Sequence, residues 1–203
     1  MNTNININTN INTYSPEQGQ LLLAYAHNAI ASEFGEPTLD LAHPDWMDVP
    51  GAVFVTLTQH GNLRGCIGSL EARRALINDV QANARAAAFQ DPRFDPLNKN
   101  ELAITRVEVS ILSAAEPMPF SSETDALSQL RPGVDGVILE YQRHRATFLP
   151  QVWEQLPDAR QFMANLKRKA GLAENFWADD LRLSRYRVEK FKEVQHEPNP
   201  IPT

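Results

Sequence analysis

A chain of 203 residues, 42% hydrophobic and 22% charged, is long enough for one compact domain or two intimate lobes; a globule of this size hides roughly 70% of the surface of its unfolded chain. Collagen, mucin and coiled-coil compositions are excluded, and no stretch approaches the ~18 uncharged apolar residues of a membrane span. A lone cysteine, Cys66, excludes an intrachain disulfide and any multi-cysteine zinc or iron–sulfur site, and the net charge of -6 is unevenly spread. Before Arg64 there is no Lys or Arg at all, only Glu17, Glu33, Glu36, Asp40, Asp45 and Asp48. Near the far end Arg160, Lys167, Arg168, Lys169, Arg182, Arg185, Arg187, Lys190 and Lys192 form a local basic stretch, a weak footprint for a nucleic-acid binder.

Residues 1–13 alternate Asn and Thr with Ile, with no apolar face wide enough to offset ordering entropy, and read as a disordered tail. They also lack the basic and apolar regions of a signal peptide, so a soluble cytoplasmic protein is expected. The folded part is expected over residues 14–195, followed by a Pro-rich tail at 196–203. Ser15-Pro16-Glu17-Gln18 is a capping box with Pro at the first helical position, and Leu22, Tyr25, Ala26, Ala29 and Ile30 continue at helical spacing to Gly35. An acidic, proline-spaced loop then wraps the domain as far as Pro50.

Ala52 to Thr58 is β-branched and apolar, Gln59-His60-Gly61-Asn62 supplies turn chemistry, and Leu63 to Ile67 makes a return strand. Gly68 and Ser69 hand over to a helix in the 72–90 region, stopped by Asp91-Pro92. Val107, Val109 and Ile111 alternate with Glu108 and Ser110 as a strand. A short helix is expected from Glu123 to Leu130. Val137 to Tyr141 starts a second hairpin that turns near Arg143-His144 and returns through Ala146 to Leu149. Asp158 caps a helix whose apolar side is Phe162, Met163, Leu166 and Ala170, and Gly171 ends it. One last strand covers roughly Leu181 to Phe191. Hairpins outnumber βαβ crossovers, which favours α+β: an antiparallel or mixed sheet flanked by helices.

The densest chemistry lies in Leu63-Arg64-Gly65-Cys66-Ile67-Gly68. On an extended strand alternate side chains share a face, so Arg64 and Cys66 are expected as neighbours with Cα atoms about 7 Å apart. A cation beside a thiol favours the thiolate, and Gly65 and Gly68 remove side chains that would keep a ligand from the backbone. The same pattern also suits a buried structural cysteine in a tight corner. His60, in the hairpin turn, is too far away for a Cys–His dyad: Cys66 is already about 10 Å beyond Leu63. His43 and His144 remain open as partners. In Asp91-Pro92-Arg93-Phe94-Asp95-Pro96 two prolines present Arg93 between two carboxylates, either to hold an anion or to place Asp91 for proton transfer, or simply as a rigid stop with an internal ion pair. Gln151 is a candidate ligand contact within Leu149-Pro150-Gln151-Val152-Trp153. Gly65-Cys66-Ile67-Gly68 fits a GxxG pattern, but Cys and Ile are poor phosphate contacts. Neither a P-loop nor a dinucleotide fingerprint is present, no histidines sit at metal-ligand spacing, and no cofactor is predicted.

Taken in order, these stretches resemble the AMMECR domain family, whose bacterial and archaeal members are called AmmeMemoRadiSam system protein A. The hexapeptide Leu63–Gly68 looks like the family signature. It is supported by residues 51–57, Ala87-Ala88-Phe89-Gln90-Asp91-Pro92-Arg93-Phe94, residues 107–112, Leu149-Pro150-Gln151-Val152 and Lys169-Ala170-Gly171-Leu172. Where the family often has Cys two residues before Lys-Ala-Gly-Leu, this chain has Lys167. The resemblance implies a larger lobe with a smaller β-containing lobe packed against it, the signature at or near the cleft, and partnership with a Memo-like protein and a radical S-adenosylmethionine enzyme. Two functions follow as expectations. One is thiol-dependent catalysis on a small anionic substrate, with Cys66, Arg64 and Asp91 as the catalytic group and Gly65, Gly68, Arg93 and Gln151 as substrate contacts. The other is a non-catalytic binding or adaptor module for a small molecule, a modified base or a partner protein. Nucleic-acid binding through the basic stretch and membrane association are not expected.

Overall fold

A computed structural model describes residues 14–193; the tails expected at 1–13 and 196–203 lie outside the described residues. The chain divides into two compact units. The first comprises the residues up to Ile111 together with those from Glu189 onward, and the second is Leu112–Val188.

In the first unit, helix α1 (Pro16–Ser32) starts on the expected capping box. Ser15 Oγ accepts the Gln18 N–H, while the Gln18 side chain accepts the Ser15 N–H at 2.8 Å. Leu22, Leu23, Ala26, Ala29 and Ile30 form its buried stripe. Strands β1 (Pro50–Gln59) and β2 (Asn62–Gly68) pair antiparallel through a two-residue turn. His60 and Gly61 both have positive φ, 49° and 81°, as a type I′ hairpin turn requires. A two-residue strand β3 (Arg74–Ala75) joins β1, and helix α2 (Leu76–Phe89) follows. The helix begins later than the expected 72 because Arg74 is tied to Asp79 at 2.7 Å and the Leu76 N–H donates to the Val49 carbonyl at 2.9 Å, which keeps residues 74–75 extended. Strand β4 (Thr105–Leu112) and the late strand β9 (Val188–Lys192) complete a sheet of order β2-β1-β4-β9, with β3 on β1. Val53, Val55 and Leu57 of β1 and Val107, Val109 and Ile111 of β4 pack with the apolar stripes of α1 and α2 into one core.

The second unit holds β5 (Glu116–Pro117), α3 (Glu123–Gln129), the hairpin β6 (Gly136–Tyr141) and β7 (His144–Phe148), α4 (Ala159–Lys169) and β8 (Arg182–Tyr186), in a sheet of order β5-β8-β6-β7. Its own core centres on Phe162, Met163, Leu166, Leu139, Leu183 and Trp153, whose ring stacks on Phe162 at 3.7 Å. The single strand expected over 181–191 is therefore two. The chain changes sheets at Arg187, whose N–H donates to Ser113 Oγ at 3.0 Å. The architecture is α+β with two separate cores.

Several cations of the basic stretch at 160–192 are buried or paired. Lys167 is buried, 1% exposed, with Nζ donating to Glu123 Oε1 at 2.6 Å and to the Glu174 carbonyl at 3.1 Å. Arg168 pairs with Glu174, and Lys192 with Glu108 at 2.8 Å. Carboxylates thus offset part of what the linear charge count accumulates.

Candidate functional site

Cys66 lies on β2, the outermost strand of its sheet. Its partner in the ladder is Thr56, whose Oγ1 donates to Cys66 Sγ at 3.3 Å. So close a side-chain approach is that of a non-hydrogen-bonded pair, in which the backbone N–H and C=O of Cys66 turn away from β1. Those outward groups are taken by the loop after α2. Asp91 Oδ2 accepts the Cys66 N–H at 2.8 Å, and Arg93 Nη2 donates to the Cys66 carbonyl at 3.3 Å. One acid and one base thus do the work of a neighbouring strand and close the edge at the thiol.

Asp91 also grips Arg93: Oδ1 accepts Nε at 2.9 Å and the Arg93 N–H at 3.1 Å, and Oδ2 accepts Nη2 at 2.7 Å. The carboxylate is 2% exposed and the guanidinium side chain 52%. The Arg93 hydrogen bonds hold the Asp91 carboxyl well below the usual carboxylate range; burial opposes this and the N–H groups of Cys66 and Arg93 assist. Asp91 is an anion that fixes its neighbours, and the internal ion pair is one of the three arrangements the sequence left open for this loop. The ion pair in turn raises Arg93, against the opposing effect of burial and with a smaller contribution from the neighbouring Cys66.

Arg64 serves elsewhere. The ladder passes from Leu57↔Gly65 to Thr58↔Leu63, leaving Arg64 as the extra residue of a β-bulge, and a bulge re-aims its side chain. Arg64 Nε and Nη2 donate to Glu101 Oε1 and Oε2 at 2.8 and 3.1 Å. Glu101, in the turn before β4, also accepts from Gln59 Nε2 at 3.0 Å and from the Asn98 N–H at 2.9 Å. These bonds, that from Arg64 foremost, lower its carboxyl to about 2. The guanidinium beside Cys66 is therefore that of Arg93, held at the Cys66 carbonyl, and Arg64 is a tie between β2 and the approach to β4. Both guanidinium groups lie over the Phe94 ring, at 5.9 and 5.5 Å.

The glycines are occupied by the protein itself. A Cβ on Gly65 would stand 2.1 Å from the Ala87 carbonyl oxygen, and one on Gly68 would fall 2.2 Å from the Phe54 ring. The space that the sequence offered to a ligand is thus used for packing β2 on α2 and Phe54 on β2. Gln151 belongs to the second unit, exposed in a 3-10 turn at Pro150–Glu154, while its neighbour Trp153 is buried and donates from Nε1 to the Asp135 carbonyl at 2.8 Å. Of the histidines weighed as partners of the thiol, His43 pairs with Asp48 at 2.9 Å and His144 Nδ1 contacts the Ala170 carbonyl at 2.9 Å. Cys66, Asp91 and Arg93 are thus brought together, joined by Thr56. Among the described residues no group of three or more His, Cys, Asp or Glu is placed to hold a metal ion, and no helix is long and apolar enough to cross a membrane.

A signature thiol on an α+β sheet, backed by the Asp-Pro-Arg-Phe loop, defines the class. The AMMECR1 family model matches residues 23–191, and the chain belongs to that family. A protein of the archaeon Methanothermobacter thermautotrophicus is 39% identical over 184 residues, covering 88% of this chain and 96% of its own. One from Saccharolobus solfataricus is 37% identical over 194 residues, 91% of this chain and 86% of its own. Among solved structures, the crystal structure of an uncharacterized protein from Pyrococcus horikoshii superposes with a TM-score of 0.74 at 30% identity, covering 87% of this chain and 92% of that one.

Proposed function

We propose that this AMMECR1-family protein is thiol-centred. Cys66 is the reacting group, as nucleophile or proton donor, and Arg93 receives the anionic part of a small substrate. The observation that carries this reading is that one carboxylate, Asp91, fixes both the Cys66 backbone and the Arg93 guanidinium. Asp91 occupies Nε and Nη2, so Nη1 of the half-exposed Arg93 is the nitrogen left for a substrate oxygen. Thr56 adds a donor able to stabilise negative charge on sulfur. The setting inferred from the family is an AmmeMemoRadiSam pathway, working with a Memo-like protein and a radical S-adenosylmethionine enzyme.

A second reading, a binding or adaptor module without chemistry, draws support from the same bonds: among the described residues the group hydrogen-bonded to Sγ is the hydroxyl of a threonine, and the Asp91 oxygens are fully engaged. With one thiol per chain, alkylation separates the two. In the catalytic reading Cys66 is alkylated in the native protein, several-fold more slowly in Arg93→Gln and Thr56→Val, and Cys66→Ser abolishes function in a cell-based complementation assay. A thiol that reacts only after unfolding, or a Cys66→Ser protein with full activity, overturns catalysis and leaves the module.

A further inference from the structure

The chain has nine phenylalanines, and all but one have an evident packing role. Phe34, Phe89 and Phe191 belong with the first core, Phe120, Phe148, Phe162 and Phe176 with the second, and two guanidinium groups lie over Phe94. Phe54 is the exception. It stands in the middle of β1, partly exposed and outside both cores. Among the described residues no second ring and no cation packs on it.

Its surroundings are those of the thiol. Phe54 pairs with Gly68, and Thr56 with Cys66. Residues two apart on a strand share a face, so these four stand together on the face of the sheet turned away from Val53, Val55 and Leu57. The Cα atoms of Cys66 and Gly68 are about 7 Å apart. A Cβ on Gly68 would meet Cγ, Cδ1 and Cδ2 of Phe54 at 2.2, 2.4 and 2.6 Å; distances so nearly equal mean that the flat of the ring rests on the Gly68 backbone. The missing side chain lets the ring lean from β1 onto β2 and stand next to Cys66, along the diagonal that aromatic side chains can reach. A phenylalanine that served only stability would be buried in a core, where its large apolar area counts most. This one is laid flat on one side and left partly exposed beside the thiol.

We propose that Phe54 sets the specificity of the thiol site: the small anionic substrate carries a flat, unsaturated ring, which stacks on Phe54 while its anionic group meets Nη1 of Arg93. The proposal rests on the thiol-centred reading above and adds the other half of the substrate to it. Cys66 neighbours both contacts, with Phe54 over the adjacent Gly68 and Arg93 at its own carbonyl. Ring stacking contributes beyond the apolar area it covers, and a guanidinium orients the anion it binds. The two contacts together hold a ring-bearing substrate at the sulfur.

Neutral maleimides isolate the contribution of the ring. N-phenylmaleimide carries one and N-ethylmaleimide does not; the rate constant of each with Cys66 in the native full chain is divided by its rate constant with glutathione. The resulting phenyl-to-ethyl ratio is expected to be raised roughly two- to tenfold in wild type, to be kept in Phe54→Tyr and to fall to about one in Phe54→Leu. A general loosening of β2 speeds both reagents alike, so the ratio reports the ring itself. Benzoate, which has a ring and a carboxylate but does not alkylate, is expected to slow N-ethylmaleimide labelling at a several-fold lower concentration than acetate, and to lose that advantage in Phe54→Leu. A wild-type ratio near one, a raised ratio that persists in Phe54→Leu, or benzoate protection no better than that of acetate would each overturn the proposal and leave the thiol reading standing. A Cys66 that neither maleimide labels before unfolding would overturn both.

Discussion

Gly65 shows how much of the site depends on one missing methyl group. Its nearest neighbour is a backbone carbonyl, Ala87 O, at 2.1 Å from where a Cβ would stand, so no side chain can swing aside to make room. Gly65→Ala must push β2 off the C-terminal end of α2, an overpacking expected to cost about 1–3 kcal/mol. At this chain length that is a fall in melting temperature of roughly 2–4 °C per kcal/mol. Thermal unfolding measures it, and an unchanged midpoint would mean that strand and helix are not in such close contact. The two glycines of the hexapeptide stood out in the sequence for a sound reason, absent side chains. What fills the space is decided by Ala87 and Phe54, residues outside the hexapeptide, and local pattern carries no information about which distant atoms arrive.

At the scale of elements, the edge strand β2 is closed by the connection that follows α2, through Asp91 and Arg93 at the thiol and through Glu101 at Arg64. Both carboxyls are lowered by folding, Glu101 to about 2 and Asp91 further. A carboxyl whose folded value lies below its unfolded value of about 4 contributes stability above that range and loses it as the pH falls toward the folded value. Urea unfolding is therefore expected to give a stability that is nearly constant from about pH 7 to 5 and falls below about pH 4, more steeply in wild type than in Glu101→Gln. Parallel profiles would show that Glu101 does not carry the acid sensitivity. The half-exposed Arg93 is screened by solvent, so the Asp91 pair contributes less than its short distances suggest. The elements themselves were legible because their signals are local: the capping box of α1, the His60-Gly61 turn and the Asp158 cap of α4 each declare themselves within a few residues. The register inside the hairpin was not. A regular two-residue turn pairing Gln59 with Asn62 would set Thr56 opposite Gly65; the bulge at Arg64 moves Thr56 opposite Cys66, and with it goes the hydroxyl that reaches the thiol. No residue type demands that bulge. It goes with the Arg64–Glu101 pair, an interaction across 37 positions.

The whole molecule has a discontinuous first unit and a continuous second one, which predicts how each behaves alone. Residues 112–188 contain both ends of their own sheet, a core of Phe162, Trp153, Met163 and Leu166, and a buried Lys167 satisfied from within by Glu123 and Glu174. The first unit, cut at Ile111, loses β9. With β9 go Phe191, packed on its core, and the bonds of Glu193 to Val107, whose N–H reaches Glu193 Oε2 at 3.0 Å. Yet the ends of the second unit meet: the Ser113 N–H donates to the Arg187 carbonyl at 2.9 Å, and the Arg187 N–H donates to Ser113 Oγ at 3.0 Å. A few flexible residues can span so short a gap, and closing a short loop costs little entropy. Replacing 113–187 by a short Gly-Ser linker is therefore expected to give a cooperatively folded first unit, whereas residues 14–111 alone unfold at a distinctly lower temperature. Residues 112–188 alone are expected to show their own cooperative transition by circular dichroism. If the linker protein melts no higher than 14–111, β9 is a passive edge; if 112–188 shows no transition, its core is too small to stand by itself, and the two units fold only as one chain.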